Sequence, residues 1–202
     1  MKNNKNIIII GCPRAGKTTL TNMITQQKKD YIVISLDSLT KALKFTFPET
    51  GITEKSRVTD ISKKILPFII QYLKDLQYDY PQKNYIIEGI QLNPDDFINE
   101  SFFENTTVVC LGYPNASVED IFYAIREHDK KLPYSYSKDL SNEELLHKIK
   151  FFISYSKFLK KKCIKYGIPF YETDKNREKI LDIVFNNLMK QHVLDTDNDF
   201  EL

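Results

Sequence analysis

Eight consecutive residues, Gly11-Cys12-Pro13-Arg14-Ala15-Gly16-Lys17-Thr18, carry two glycines, a lysine and a hydroxyl at the spacing G-x-x-x-x-G-K-[ST]. Glycines at these positions let the backbone turn so that successive N–H groups converge on phosphate oxygens, and a following helix adds its positive N-terminal end. Lys17 supplies a mobile charge for the outer phosphates, and the Thr18 hydroxyl can join the coordination of a magnesium ion. Thr19 completes the candidate nucleotide-binding set. Pro13 and Arg14 stand where such loops usually carry small residues, so a stiff loop is expected. Arg14 either joins the site or points outward.

Five further residues have side chains and placements that could do chemistry. Asp37 closes the apolar run "YIVIS" plus Leu36. Its carboxylate is either a base for a substrate hydroxyl or the N-cap of a helix starting at Ser38. Glu88, in "NYIIEG", either approaches a magnesium ion through water or orients the adjacent loop. Arg126 lies in an amphipathic stretch that leads into a polar, tyrosine-bearing segment. On the residues alone it belongs to a solvated helical face. Arg57 precedes a long apolar-striped stretch, where its guanidinium could pair with an anionic group on a substrate or stand exposed. Asp174 follows the last apolar run in "IPFYETD". His128 and His147 are lone histidines without metal-ligand spacing, and no zinc site is expected.

The elements that must position these residues follow from periodicity. Short apolar runs "NIIIIG", "YIVISLD", "NYIIEG", "TTVVCLG" and "IPFYETD" read as parallel strands buried on both faces. Helices are expected at about residues 17–29, 38–46, 59–80, 94–104, 117–131, 141–166 and 175–191. Ser117, with Asp120 three residues on, marks the start of one of them. Such alternation implies a doubly wound α/β parallel sheet, in which ligands bind beyond the carboxyl ends of the strands. Gly11, Asp37, Glu88 and Asp174 all fall there. A chain of 202 residues suits one domain. With 29 basic and 27 acidic residues the net charge is only +2, so no overall field favours nucleic acid or a membrane surface. Three widely spaced cysteines argue against a disulfide framework and fit a reducing cytoplasm. The run of isoleucines is too short for a signal-peptide core or a membrane span.

The chain lacks the DxxG and NKxD signatures of GTPases. In the order of its pieces, "GCPRAGKTT", "SLDSL", "IIEG", a helical arginine and "GIPFYETD", it resembles the nucleoside and nucleotide kinase branch of P-loop proteins, the adenylate-kinase-like and shikimate-kinase-like enzymes. The resemblance implies five parallel strands in the order second, third, first, fourth, fifth, within a single domain over residues 1–192. It also implies an acceptor-binding arm over about 47–83 and a lid over about 126–142, with a flexible acidic tail at 193–202. It further implies ATP with Mg2+, adenine near "ETDKN", Lys17, Asp37 and Arg126 as catalytic residues, and a small-molecule phosphate acceptor touched by Asp37, Arg57 and Glu88. A cytoplasmic monomer or homodimer is expected, without nucleic-acid or membrane partners. The first expectation is transfer of the γ-phosphate to a hydroxyl-bearing metabolite. Nucleoside monophosphate kinase activity is one alternative, and a non-catalytic nucleotide sensor or partner-regulated switch is another.

Overall fold

Four consecutive isoleucines, Ile7 to Ile10, can all escape water only in a strand covered on both faces, and each is at most 1% exposed. Burial of each such side chain stabilises the fold by about 1.5–3 kcal/mol. The computed structural model describes residues 6–98, 100–104, 106–131, 133, 135 and 137–197, with backbone alone for 191–197. It places the isoleucine strand β1 (Asn6–Gly11) between β3 (Asn84–Gly89) and β4 (Thr106–Gly112). Strand β2 (Tyr31–Ser35) lies beyond β3, and β5 (Phe170–Glu172) lies beyond β4. The sheet is five-stranded and all-parallel in the order β2-β3-β1-β4-β5, as expected. Its register sets Ser35 beside Glu88, Ile10 beside Gly89, Gly11 beside Leu111 and Gly112 beside Glu172. The carboxyl ends of all five strands therefore open on one edge.

Parallel strands need crossovers, and helices α1 (Lys17–Gln27), α2 (Leu36–Thr46), α3 (Val58–Asp79), α5 (Val118–Lys131), α6 (Asn142–Tyr166) and α7 (Arg177–Asp197) lie between or after them, with a one-turn α4 (Pro94–Phe97). Local sequence signals set several boundaries. Ser117 accepts from the Asp120 N–H at 3.0 Å, ahead of α5. Ser141 and Glu144 form a reciprocal capping box on α6, which stops at Gly167 in the left-handed region (φ 68).

Three expectations need correction. Helix α2 begins at Leu36 and is capped by Ser35, whose hydroxyl accepts from the Ser38 N–H, so Asp37 lies in the first turn and is not the cap. The helix expected over 94–104 is instead α4 followed by a 3-10 turn at Ser101–Phe103. A continuous helix would set Phe97 and Phe103 about 120° apart. The break lets both rings enter the core, edge to face at 5.9 Å. Helix α7 runs on to Asp197, so residues 193–197 of the expected tail are helical, while 198–202 lie outside the described residues. Among the described residues, no helix is long and apolar enough to cross a membrane.

Candidate active site

The phosphate loop sits between β1 and α1, and its backbone geometry depends on two glycines. A Cβ on Gly11 would lie 2.2 Å from the Leu111 carbonyl oxygen on β4, and Gly16 holds φ 102 directly before α1. Only glycine meets both demands cheaply. The Ala15 N–H closes the turn onto the Cys12 carbonyl at 3.2 Å, and the Tyr113 hydroxyl donates to the Pro13 carbonyl at 2.7 Å. Cys12 turns its side chain into the core: its thiol donates to the Phe152 carbonyl and receives the Ser156 hydroxyl, both at 3.2 Å. Burial pushes that thiol up to about 11. Cys12 is thus a backbone contributor to the loop, not a nucleophile.

Lys17 is the first residue of α1 and is buried, with its ammonium 3.1 Å from the Cys12 carbonyl. Burial lowers its pKa, and the negative charges of Asp37 and Glu88 oppose that shift. Among the described residues Lys17 has no ion-pair partner, and a buried cation so placed is available to an incoming anion. One residue on, the Thr18 hydroxyl donates to both Glu88 oxygens, at 3.2 and 3.3 Å, and the Thr21 hydroxyl reaches Oε2 at 3.4 Å. A hydroxyl and a buried carboxylate side by side at the phosphate edge are hard oxygen donors of the kind magnesium accepts. Magnesium typically takes one or two protein oxygens and completes its shell with water and phosphate. Among the described residues there is no group of three His, Cys, Asp or Glu that could hold a metal without such a phosphate.

Asp37 stands across the crevice, two residues past the β2 end that lies level with Glu88. Its Oδ1 accepts a short hydrogen bond from the Gln91 side-chain amide, whose own oxygen accepts from the Ile90 N–H at 3.0 Å. Gln91 is buried and holds the carboxylate in one orientation. A lone glutamine in a loop after β3 gave no sequence signal.

Beside the loop opens a cavity of about 620 Å³, lined by Arg14, Gly16, Lys17, Thr18, Thr19 and Asp174 together with Tyr113, Asn115, His128 and Arg177. The latter four were not singled out as binding residues. Only the β4–β5 register and the return of α5 bring them together. Asn115 is fixed by donation to Glu172 at 2.9 Å. Burial, with the charges of Arg14 and Arg177, pushes the His128 imidazole below its ordinary range.

The remaining arginines differ. Arg14 does not point outward: its Nη2 donates to Asp129 Oδ1 at 2.9 Å. Burial opposes the charge on Asp129, but the hydroxyls of Ser135 and Ser137 and the guanidinium of Arg14 outweigh it, and the carboxyl stays below its usual range. Arg126 donates to the Ser137 and Leu140 carbonyls at 2.8 and 2.9 Å and to the Asn142 side chain at 2.9 Å. It does not line the cavity in this conformation. Arg57 is a surface residue, its side chain 81% exposed and paired with Asp60 on the next turn at 2.9 Å.

No protein-family model matches the chain, and no curated protein matches it in sequence. Solved structures do match its fold. A shikimate kinase from Bacteroides thetaiotaomicron superposes with a TM-score of 0.54 at 17% identity, over 95% of this chain and 98% of that one. A gluconokinase from Sinorhizobium meliloti 1021 superposes with a TM-score of 0.51 at 11% identity, over 95% of each chain. The five-stranded parallel sheet with its strand order and phosphate loop is the P-loop kinase fold.

Proposed function

We propose that this protein is an ATP-dependent kinase that transfers the γ-phosphate to a hydroxyl group of a small metabolite. The observation that carries this reading is the state of Asp37. It is not used in capping, is oriented by Gln91, and is close enough to Lys17 to be the first of the charges that oppose the shift of that lysine. A carboxylate facing a phosphate loop suits an acceptor that must lose a proton as it attacks. An acceptor that is already a phosphate anion gains nothing from it. The two enzymes of similar fold named above, a shikimate kinase and a gluconokinase, support a small-molecule acceptor.

In the proposed reaction the loop amides and Lys17 hold the nucleotide phosphates, and the cavity beside Asn115 and Asp174 takes the base. The acceptor oxygen forms a bond to the γ-phosphorus, its proton passes to Asp37, and the bond to the β-phosphate oxygen breaks to leave ADP. A magnesium ion, held by Thr18 with Glu88 beside it, would neutralise charge on the phosphates. Glu88 orients the Thr18 hydroxyl in any case.

The test is a transfer screen of ATP and magnesium against hydroxyl-bearing metabolites and nucleoside monophosphates, read by mass spectrometry. A phosphorylated alcohol is expected, with Asp37→Asn at least about a hundredfold slower, the usual scale for loss of a general base. Transfer to a monophosphate alone, or an Asp37→Asn variant at the parental rate, would overturn the reading.

A further inference from the structure

Among the described residues, only Arg14 and Asn176 hold a positive φ without being glycine, and Arg14 does so inside the phosphate loop, at φ 67. Such a backbone costs on the order of 1 kcal/mol and persists only where the surroundings over-determine it. Both ends of Arg14 are held. Its carbonyl accepts from Arg177 Nη1 at 3.2 Å, and its Nη2 donates to Asp129 Oδ1 and Ser135 Oγ, each at 2.9 Å. The Ser137 hydroxyl donates to the same Asp129 oxygen, also at 2.9 Å.

The pairing is lopsided for a structural ion pair. Asp129 is only 4% exposed, yet among the described residues its Oδ2 is buried without a hydrogen-bond partner, as is Nε of Arg14. A pair selected for stability would close the two-pronged guanidinium–carboxylate fork and satisfy both atoms. Here one nitrogen meets one oxygen, and the arginine also lines the cavity that holds Lys17, Thr18 and Thr19. Arg126 is occupied by the Ser137 and Leu140 carbonyls and by Asn142.

We propose that Arg14 is a phosphate-binding cation built into the loop beside Lys17, and that Asp129 is its positioning residue, holding one edge of the guanidinium so that the other serves the cavity. The proposal rests on reading this cavity as a nucleotide site. It adds that a guanidinium for the phosphates comes from the loop itself and is aimed by the last turns of α5. Loop charge and the placement of Ser135 and Ser137 are thereby linked.

Calorimetric titration with magnesium–ATP and with inorganic tripolyphosphate, which has the charges but no base, tests it on the full chain. Arg14→Met should weaken both ligands by the same factor, about ten- to a hundredfold, the scale of a lost charge-assisted contact. Asp129→Asn should weaken both about fivefold in the parent and not at all in the Arg14→Met background, because it acts only through Arg14. A purely structural pair would lower the unfolding temperature and leave tripolyphosphate affinity unchanged. That result, or an Asp129→Asn effect that persists without Arg14, overturns the proposal. If Arg14→Met does not fold with Asp129 left buried and unpaired, the double variant compared with Asp129→Asn supplies the same factor. A parent that binds neither ligand defeats the nucleotide reading itself and this proposal with it. A parent that binds ATP beside an Arg14→Met variant of equal affinity defeats this proposal alone.

Discussion

At the phosphate loop the geometry is carried by backbone: Gly11 lies against β4, Gly16 turns into α1, and the ring of contacts runs through carbonyls of Cys12 and Pro13. Around the carboxyl end of α5 it is carried by side chains that reach across the fold, Arg126 to Ser137 and Leu140, and Arg14 to Asp129, 115 residues away. The first region is stiff because altering it means moving strands. The second is held by a few hydrogen bonds, each worth roughly 1 kcal/mol, and is where local opening costs least.

This contrast can be broken at several points. Gly11→Ala should cost about 3 kcal/mol or more in stability, since no rotamer relieves a Cβ placed 2.2 Å from a backbone oxygen. Denaturant unfolding near the parental midpoint would show that the loop tolerates strand displacement. Lys17→Ala should leave ligand-free stability nearly intact, because its charge is disfavoured by burial. It should weaken magnesium–ATP roughly ten- to a hundredfold. Equal affinity by calorimetry would remove Lys17 from the site.

Arg126→Ala sharpens the other side. With three hydrogen bonds lost it should cost about 1–3 kcal/mol and raise amide hydrogen exchange over residues 137–142, while the phosphate loop stays protected. Unchanged exchange there would mean that these contacts do not order the segment. The smallest effect is expected at Arg57. It is 81% exposed and, among the described residues, paired only with Asp60, so Arg57→Ala should shift stability by less than about 0.5 kcal/mol and leave ATP affinity unchanged. A KM effect on the acceptor identified by the transfer screen would instead place Arg57 in the acceptor arm.

The doubly wound parallel sheet and the loop motif at the centre of the candidate site were legible in the residues themselves. An unbroken isoleucine run permits little besides a strand buried on both faces, and the loop after it is a contiguous motif whose geometry resides in its own backbone. Strand order followed from the resemblance, and the crevice at the carboxyl ends followed from parallel connectivity. The roles of single charged side chains were not legible. Asp37 read equally well as a cap until Ser35 was seen to hold that position. Asp129, in the polar run "EHDKK", reads as solvent-exposed until α5 returns it to Arg14, and Gln91 becomes meaningful only where its amide meets Asp37. Adjacent residues can specify a turn or a strand because backbone geometry is local. Which carboxylate an arginine meets is decided by atoms distant in sequence, and only the assembled fold brings them within hydrogen-bonding distance.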